Sequence, residues 1–169
     1  GRLSSAGFDV IVRPHPAFFE SIYKKGAGIV DRLAAEHEAD PAVTFERTTS
    51  TETSFLAADV LITDWSGAAF EYSLATERPA LFIDLPPKVK NPDWEGLGPT
   101  PFEDRMRREV GVVLSPDDLT AISGTVEALI ADRAGWRDRI VEARGRELYN
   151  VGKAAEAGAH VLDELCTRA

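Results

Sequence analysis

The sequence predicts an α/β fold, a doubly wound parallel sheet of about five strands with helices on both faces. Three observations predict it. Short runs such as Val10-Ile11-Val12, Val60-Leu61-Ile62 and Leu81-Phe82-Ile83 are apolar at consecutive positions, the pattern of strands covered on both faces. Segments with helical periodicity separate most of these runs. Several strands run into a Pro, Ser or Gly turn that opens the next helix. Strands alternating with helices in this way define a Rossmann-like arrangement.

Phe8 to Arg13 reads as a short buried strand ending in a charge. Pro14 and Pro16 break it and open a helix, with apolar residues at Phe18, Phe19, Ile22, Tyr23, Ile29, Val30 and Leu33 near the helical period. Gly26 and Gly28 weaken the middle of that helix and can divide it in two; Pro41 ends it. Ala42 to Glu46 is a second strand. Arg47 to Ser54 is a polar loop, in which Thr51 or Thr53 caps a short helix through Leu56.

Ala58 to Asp64 is a third strand, turned by Trp65-Ser66-Gly67 into a helix from Ala68 to Thr76. Pro79 to Asp84 is a fourth. The segment from Leu85 to Glu109 contains Pro86, Pro87, Pro92, Pro99 and Pro101, half of the 10 prolines. It reads as a long excursion with a little helix near its end, and such loops usually carry function or move. Val110 to Leu114 is a fifth strand. Ser115-Pro116-Asp117-Asp118 combines a cap, a first-turn proline and first-turn acids. Helices follow through about Ala131, from Gly135 to Tyr149 and from Gly152 to Thr167.

A length of 169 residues suits one domain spanning residues 1–169. No apolar run is long enough to cross a bilayer, and Gly1 to Ser5 lacks the layout of a signal peptide. The single cysteine, Cys166, excludes an internal disulfide framework or a Cys-rich zinc site and reads as structural. A net charge of −9 argues against broad binding to nucleic acid. These features predict a soluble, cytoplasmic domain. Its opening strand starts so early that the chain is expected to be an excised piece of a longer protein.

Ligands of open parallel sheets bind beyond the C-terminal ends of the strands. That rule selects Arg13-Pro14-His15, the Thr/Ser loop after Glu46, Asp64-Trp65-Ser66-Gly67, and Asp84 with its loop. The third is the most informative. The first N–H groups of a helix lack partners, and the dipole adds positive potential. A phosphate can sit there with help from the Ser66 hydroxyl, and Gly67 lets it approach the backbone; Ser66 is equally suited to be an ordinary cap. Glu71 can face the same rim or simply be solvated. His15 can act as acid, base or phosphate partner, or serve the structure, and Arg13 offers a guanidinium fork. Elsewhere, His37 and His160 read as surface or packing residues. The loop from Lys88 to Trp94 can cover a ligand, with Trp94 more suited to packing. Arg105, Arg107 and Arg108 read as a solvated helix face.

Arg13-Pro-His-Pro16, the run from Ala58 through Asp64-Trp-Ser-Gly67 to Glu71-Tyr72, and Arg78-Pro-Ala-Leu-Phe-Ile-Asp84 together resemble the C-terminal domain of CDP-glycerol glycerophosphotransferases. These are the teichoic-acid polymerases and primases. Tyr149-Asn-Val-Gly-Lys-Ala-Ala155 resembles the family's closing segment. The resemblance implies the nucleotide-binding C-terminal half of a two-domain GT-B transferase. It implies that Ser66, Gly67 and Ala68 hold the donor diphosphate, that Glu71 contacts ribose or diphosphate, and that Arg13 supports the phosphates. Thr48 and Thr49 would lie near the nucleotide, and His15 matches the functional histidine. The donor would be CDP-glycerol, with no tightly bound cofactor and no assigned metal ligand; a divalent-metal requirement stays open. The acceptor would be lipid-linked or polymeric and reached through an N-terminal domain, which places the parent protein at the inner face of the membrane. The fragment alone would bind nucleotide without turnover.

The sequence departs from the family pattern where Trp65 replaces Tyr, Gly67 a second Ser, and Glu71 an Asp. A related CDP-polyol is therefore an alternative donor. A rival reading is a GT-B glycosyltransferase or epimerase-like domain using a UDP-sugar. A degenerate domain that only scaffolds a partner is another. A phospho-receiver is disfavoured, because the first strand ends in Arg-Pro-His and Ser-Pro-Asp follows the fifth.

Overall fold

A computed structural model describes residues 1–15, 18, 27–47, 52–87, 91, 93, 96, 98 and 100–167. The elements in order are α1 (Arg2–Ser5), β1 (Val10–Val12), α2 (Ala27–Glu36), β2 (Val43–Phe45), α3 (Glu52–Ala57), β3 (Leu61–Thr63) and α4 (Gly67–Thr76). They continue with β4 (Ala80–Ile83), α5 (Phe102–Glu109), β5 (Gly111–Leu114), α6 (Ile122–Ala131), α7 (Arg133–Glu147) and α8 (Ala154–Thr167). A 3-10 turn over Pro116–Ala121 precedes α6, capped by Ser115 as its sequence requires.

All strand pairings are parallel. β1 pairs with β2, Val10 opposite Val43 and Val12 opposite Phe45. β4 lies between β3 and β5, with Ala80 opposite both Leu61 and Gly111. The α/β class and the parallel strands match the sequence reading, but the ladders form two small sheets, of two and three strands. The two sheets are covered differently. β1 and β2 alternate between half-buried and exposed residues, whereas Ala80, Leu81 and Phe82 of β4 are fully buried.

The core surrounds the three-stranded sheet. α4 contributes Ala69, Phe70 and Tyr72, α5 Met106, α6 Val126 and Leu129, and α7 Trp136, Ile140 and Ala143. α5 is the little helix expected at the end of the excursion. α1 was not expected, and one turn of helix carries no periodicity to read. No residue of α8 is buried. Cys166 is correspondingly exposed, which corrects its reading as a structural residue.

Both ends of α4 are tied down. At its C-terminus Glu77 adopts the left-handed conformation, φ 58°. The Glu77 carboxylate accepts from Arg137 Nε and Arg144 Nη2, each at 2.7 Å, and Arg144 Nη1 donates to the Leu74 carbonyl at 2.8 Å. Hydrogen bonds from Arg137 and Arg144 hold the Glu77 carboxyl below its ordinary range. On the buried face, the Tyr72 hydroxyl donates to the Ala58 carbonyl at 2.9 Å, and Arg78 donates to the same oxygen at 2.6 Å. The segment leading into β3 is thus tied to the helix after it.

Two predictions follow from this packing. A Cβ at Gly111 would collide with the Ala80 carbonyl oxygen. Gly111→Ala is therefore expected to break the β4–β5 ladder, and circular dichroism melts should show loss of the cooperative transition or a sharply lowered midpoint. Burial pushes the Tyr72 phenol up to about 12, from an ordinary 10.0. A raised folded-state pKa means stability that is full below pH 10 and lost as pH rises toward 12. Urea unfolding across that window should show falling stability, with a shallower fall in Tyr72→Phe.

Candidate functional site at the exit edge of the sheet

β3 ends at Thr63, and three residues later Ser66 caps α4 from an extended conformation, φ −121° and ψ 130°. Its hydroxyl accepts from the Ala68 N–H at 3.3 Å, and its carbonyl accepts from the Ala69 N–H at 3.2 Å. The hydroxyl bond is long, so an anion competes well for that amide. Ser66 is half-buried and Gly67 exposed, so the turn is not sealed in the core. A Cβ at Gly67 would meet nothing within 4 Å, which leaves the helix start open to a ligand. Glu71, also exposed, lies just over one turn further along α4.

Arg13 and His15 follow β1 in the two-stranded sheet. Arg13 is half-buried, its guanidinium carbon 6.0 Å from the centre of the Phe55 ring. Phe55 packs edge-on against Tyr72 of α4, centroids 5.6 Å apart. This chain of contacts ties the exit of β1 to α4 through α3. His15 is exposed, and its carbonyl accepts from the Phe18 N–H at 2.9 Å. The contacts bring Arg13 to Phe55. Thr48 and Thr49 lie outside the described residues, as do Thr51, Lys88, Lys90 and Trp94. His37 is half-buried and His160 exposed, as expected of surface or packing residues.

One charged residue is placed against expectation. Arg105 is paired with Glu147 and Arg108 is exposed, but Arg107 is only 4% exposed. This corrects the reading of all three as a solvated face. Arg107 Nη1 donates to Asp84 Oδ1 at 2.9 Å. Its guanidinium carbon lies 3.8 Å from the Trp65 ring centre and 5.3 Å from that of Phe82. The Trp65 indole N–H in turn donates to the Leu85 carbonyl. The only sequence signal was the position of Arg107 beside Met106, on the buried side of α5.

Two open depressions, of about 590 and 300 Å³, are lined by the N-terminal segment, β1, β2 and residues around Leu119–Ser123, none of them a candidate site residue. The edge where β3 runs into α4 is the better guide to function, because it gathers Ser66, the exposed Gly67 and Glu71 at the start of a helix. Among the described residues no cluster of three or more His, Cys, Asp or Glu side chains is arranged to hold a metal ion. No described helix is long and apolar enough to cross a membrane.

Parallel strands, interleaved helices and a capped helix start at the exit edge define a Rossmann-like α/β domain. Residues 4–85 match the family model of CDP-glycerol:poly(glycerophosphate) glycerophosphotransferases. Over that stretch the chain is similar to this family of transferases. The matched stretch contains Arg13, His15, Ser66, Gly67, Glu71 and Asp84, and ends before α5. Neither the curated proteins nor the solved structures gave a match.

The two substitutions at the turn should separate in chemical denaturation. Ser66→Ala removes the cap and is expected to cost about 1 kcal/mol. Gly67→Ala meets no neighbour and should leave stability unchanged or slightly raised.

Proposed function

We propose that this chain carries the donor-nucleotide site of a glycerophosphotransferase that uses CDP-glycerol or a related CDP-polyol. The reaction passes glycerol phosphate to a hydroxyl acceptor in the synthesis of teichoic acid-like polymers. The observation that carries the reading is the start of α4: a serine cap, an exposed glycine and open space above the backbone. Backbone amides there suit the donor's diphosphate. The family match over residues 4–85 supports the choice of donor.

In this reading Ser66, Gly67 and Ala68 hold the diphosphate, Arg13 adds a guanidinium, and Glu71 accepts from ribose hydroxyls. Thr48 and Thr49 complete the nucleotide's surroundings. The acceptor hydroxyl oxygen attacks the glycerol-bearing phosphorus. The bond from that phosphorus to the bridging oxygen breaks, and CMP leaves with the oxygen. His15 takes the acceptor's proton or, when protonated, stabilises charge on the transferring phosphoryl group. Positioning supplies most of the acceleration. The acceptor, lipid-linked or polymeric, approaches from a second domain at the inner membrane face.

Calorimetric titration with CDP, CDP-glycerol, CMP, UDP and a UDP-sugar tests this. CDP and CDP-glycerol should bind more tightly than CMP, and Ser66→Asp should weaken them by about tenfold or more, because a carboxylate then faces the diphosphate. Preference for UDP would move the assignment to a nucleotide-sugar transferase. Binding unchanged in Ser66→Asp would remove the phosphate turn.

A further inference from the structure

We propose that Arg107 is a positioning residue: acting through Trp65, it fixes the turn from which α4 starts. Its effect on ligand affinity rests on the nucleotide reading above; its effect on the turn does not.

A guanidinium has five N–H donors. Arg107 is 4% exposed, and its Nε and Nη2 atoms are shut away from solvent with no hydrogen-bond partner among the described residues. Leaving charged donors buried and unpaired is costly. A methionine or leucine would fill the same space without that cost, so packing alone does not account for an arginine.

The cation's surroundings supply an account. One nitrogen meets the Asp84 carboxylate at 2.9 Å. The guanidinium lies between the rings of Trp65 and Phe82, 3.8 and 5.3 Å from their centres, and electron-rich ring faces attract a cation. The contacts join the exit of β3, the body and exit of β4, and α5. Trp65 is held twice, on its face by Arg107 and at its N–H by the Leu85 carbonyl. Ser66 is the next residue in the chain, so fixing Trp65 fixes the backbone entry to the cap. The same contact leaves the Asp84 side chain 50% exposed, with one of its oxygens occupied by Arg107. α5 lies beyond residues 4–85, so this latch comes from outside the matched segment.

The test uses the whole chain with Arg107→Met, Arg107→Lys, Trp65→Phe and the double variant Trp65→Phe/Arg107→Met. Nuclear magnetic resonance follows the Trp65 indole N–H and the Gly67 and Ala68 amides. In Arg107→Met the indole proton should exchange about tenfold faster or more and both amide signals should shift, while Ile140 and Ala143 in α7 keep their protection. Arg107→Lys keeps the charge without the flat fork and should fall between wild type and Arg107→Met. Trp65→Phe should move the same amides, and the double variant should add little to either single change.

CDP affinity should drop about tenfold in Arg107→Met, in step with the amide shifts. The proposal is overturned if the Gly67 and Ala68 signals stay at their wild-type positions in both Arg107→Met and Trp65→Phe. It is also overturned if α7 loses protection together with the turn, since Arg107 would then be a general core residue. Failure of the wild-type chain to bind any nucleotide would sink the donor-site reading alone, because the exchange data still decide the latch.

Discussion

The buried face of α4 is the constraint on which the exit edge depends. Ala69, Tyr72 and Ser73 are fully excluded from solvent and Phe70 nearly so. Burying two aromatic side chains contributes roughly 1.5–3 kcal/mol each, enough to fix how the helix lies on the sheet. Tyr72 and Arg78 share the Ala58 carbonyl, so the segment leading into β3 and the helix after the turn are anchored to one point. The Ser66 cap can then present the first turn of α4 at the edge without the helix start moving away.

Charge works locally in this protein. An excess of 28 acidic over 19 basic residues repels a diphosphate at long range. In the proposed reading, binding one at the edge of the sheet draws on donors close at hand: helix amides, Arg13 and His15. The exposed pairs Arg47–Asp31 and Arg133–Asp59 contribute about 0–1 kcal/mol each. The Glu77 pairs with Arg137 and Arg144 are more constrained, since Arg144 also reaches a backbone carbonyl. They hold the C-terminal end of α4, where positive charge also complements the helix dipole.

What the sequence made legible was local. Short, largely apolar runs located all five strands, although the ladders trimmed them to three or four residues because only paired positions persist. The Ser66 cap was readable because its chemistry spans three neighbouring residues. The parallel pairing followed from strands joined through helices. The division into two sheets was not readable, because nothing in a three-residue run states which neighbour it will lack. Arg107 was hidden for a related reason. Its burial depends on Asp84, 23 residues away in the chain, and on Trp65 and Phe82, which meet it only in the folded state. A charged side chain in a basic run looks solvated until those partners are known.

Two departures from the family pattern now make sense together. A tyrosine at position 65 would carry its polar group at the tip of the ring. Trp65 carries an N–H on its edge, used by the Leu85 carbonyl, and a broad face used by Arg107. An indole is therefore matched to the buried arginine in a way a phenol is not. Gly67 in place of a serine removes one hydroxyl from the turn and leaves its surface open. In the proposed reading a phosphate there leans more on backbone amides, whose directions follow the path of the chain through Trp65 and Ser66. A turn that has given up a side-chain donor depends more on being held in place, and the residue that holds it is the one the sequence concealed.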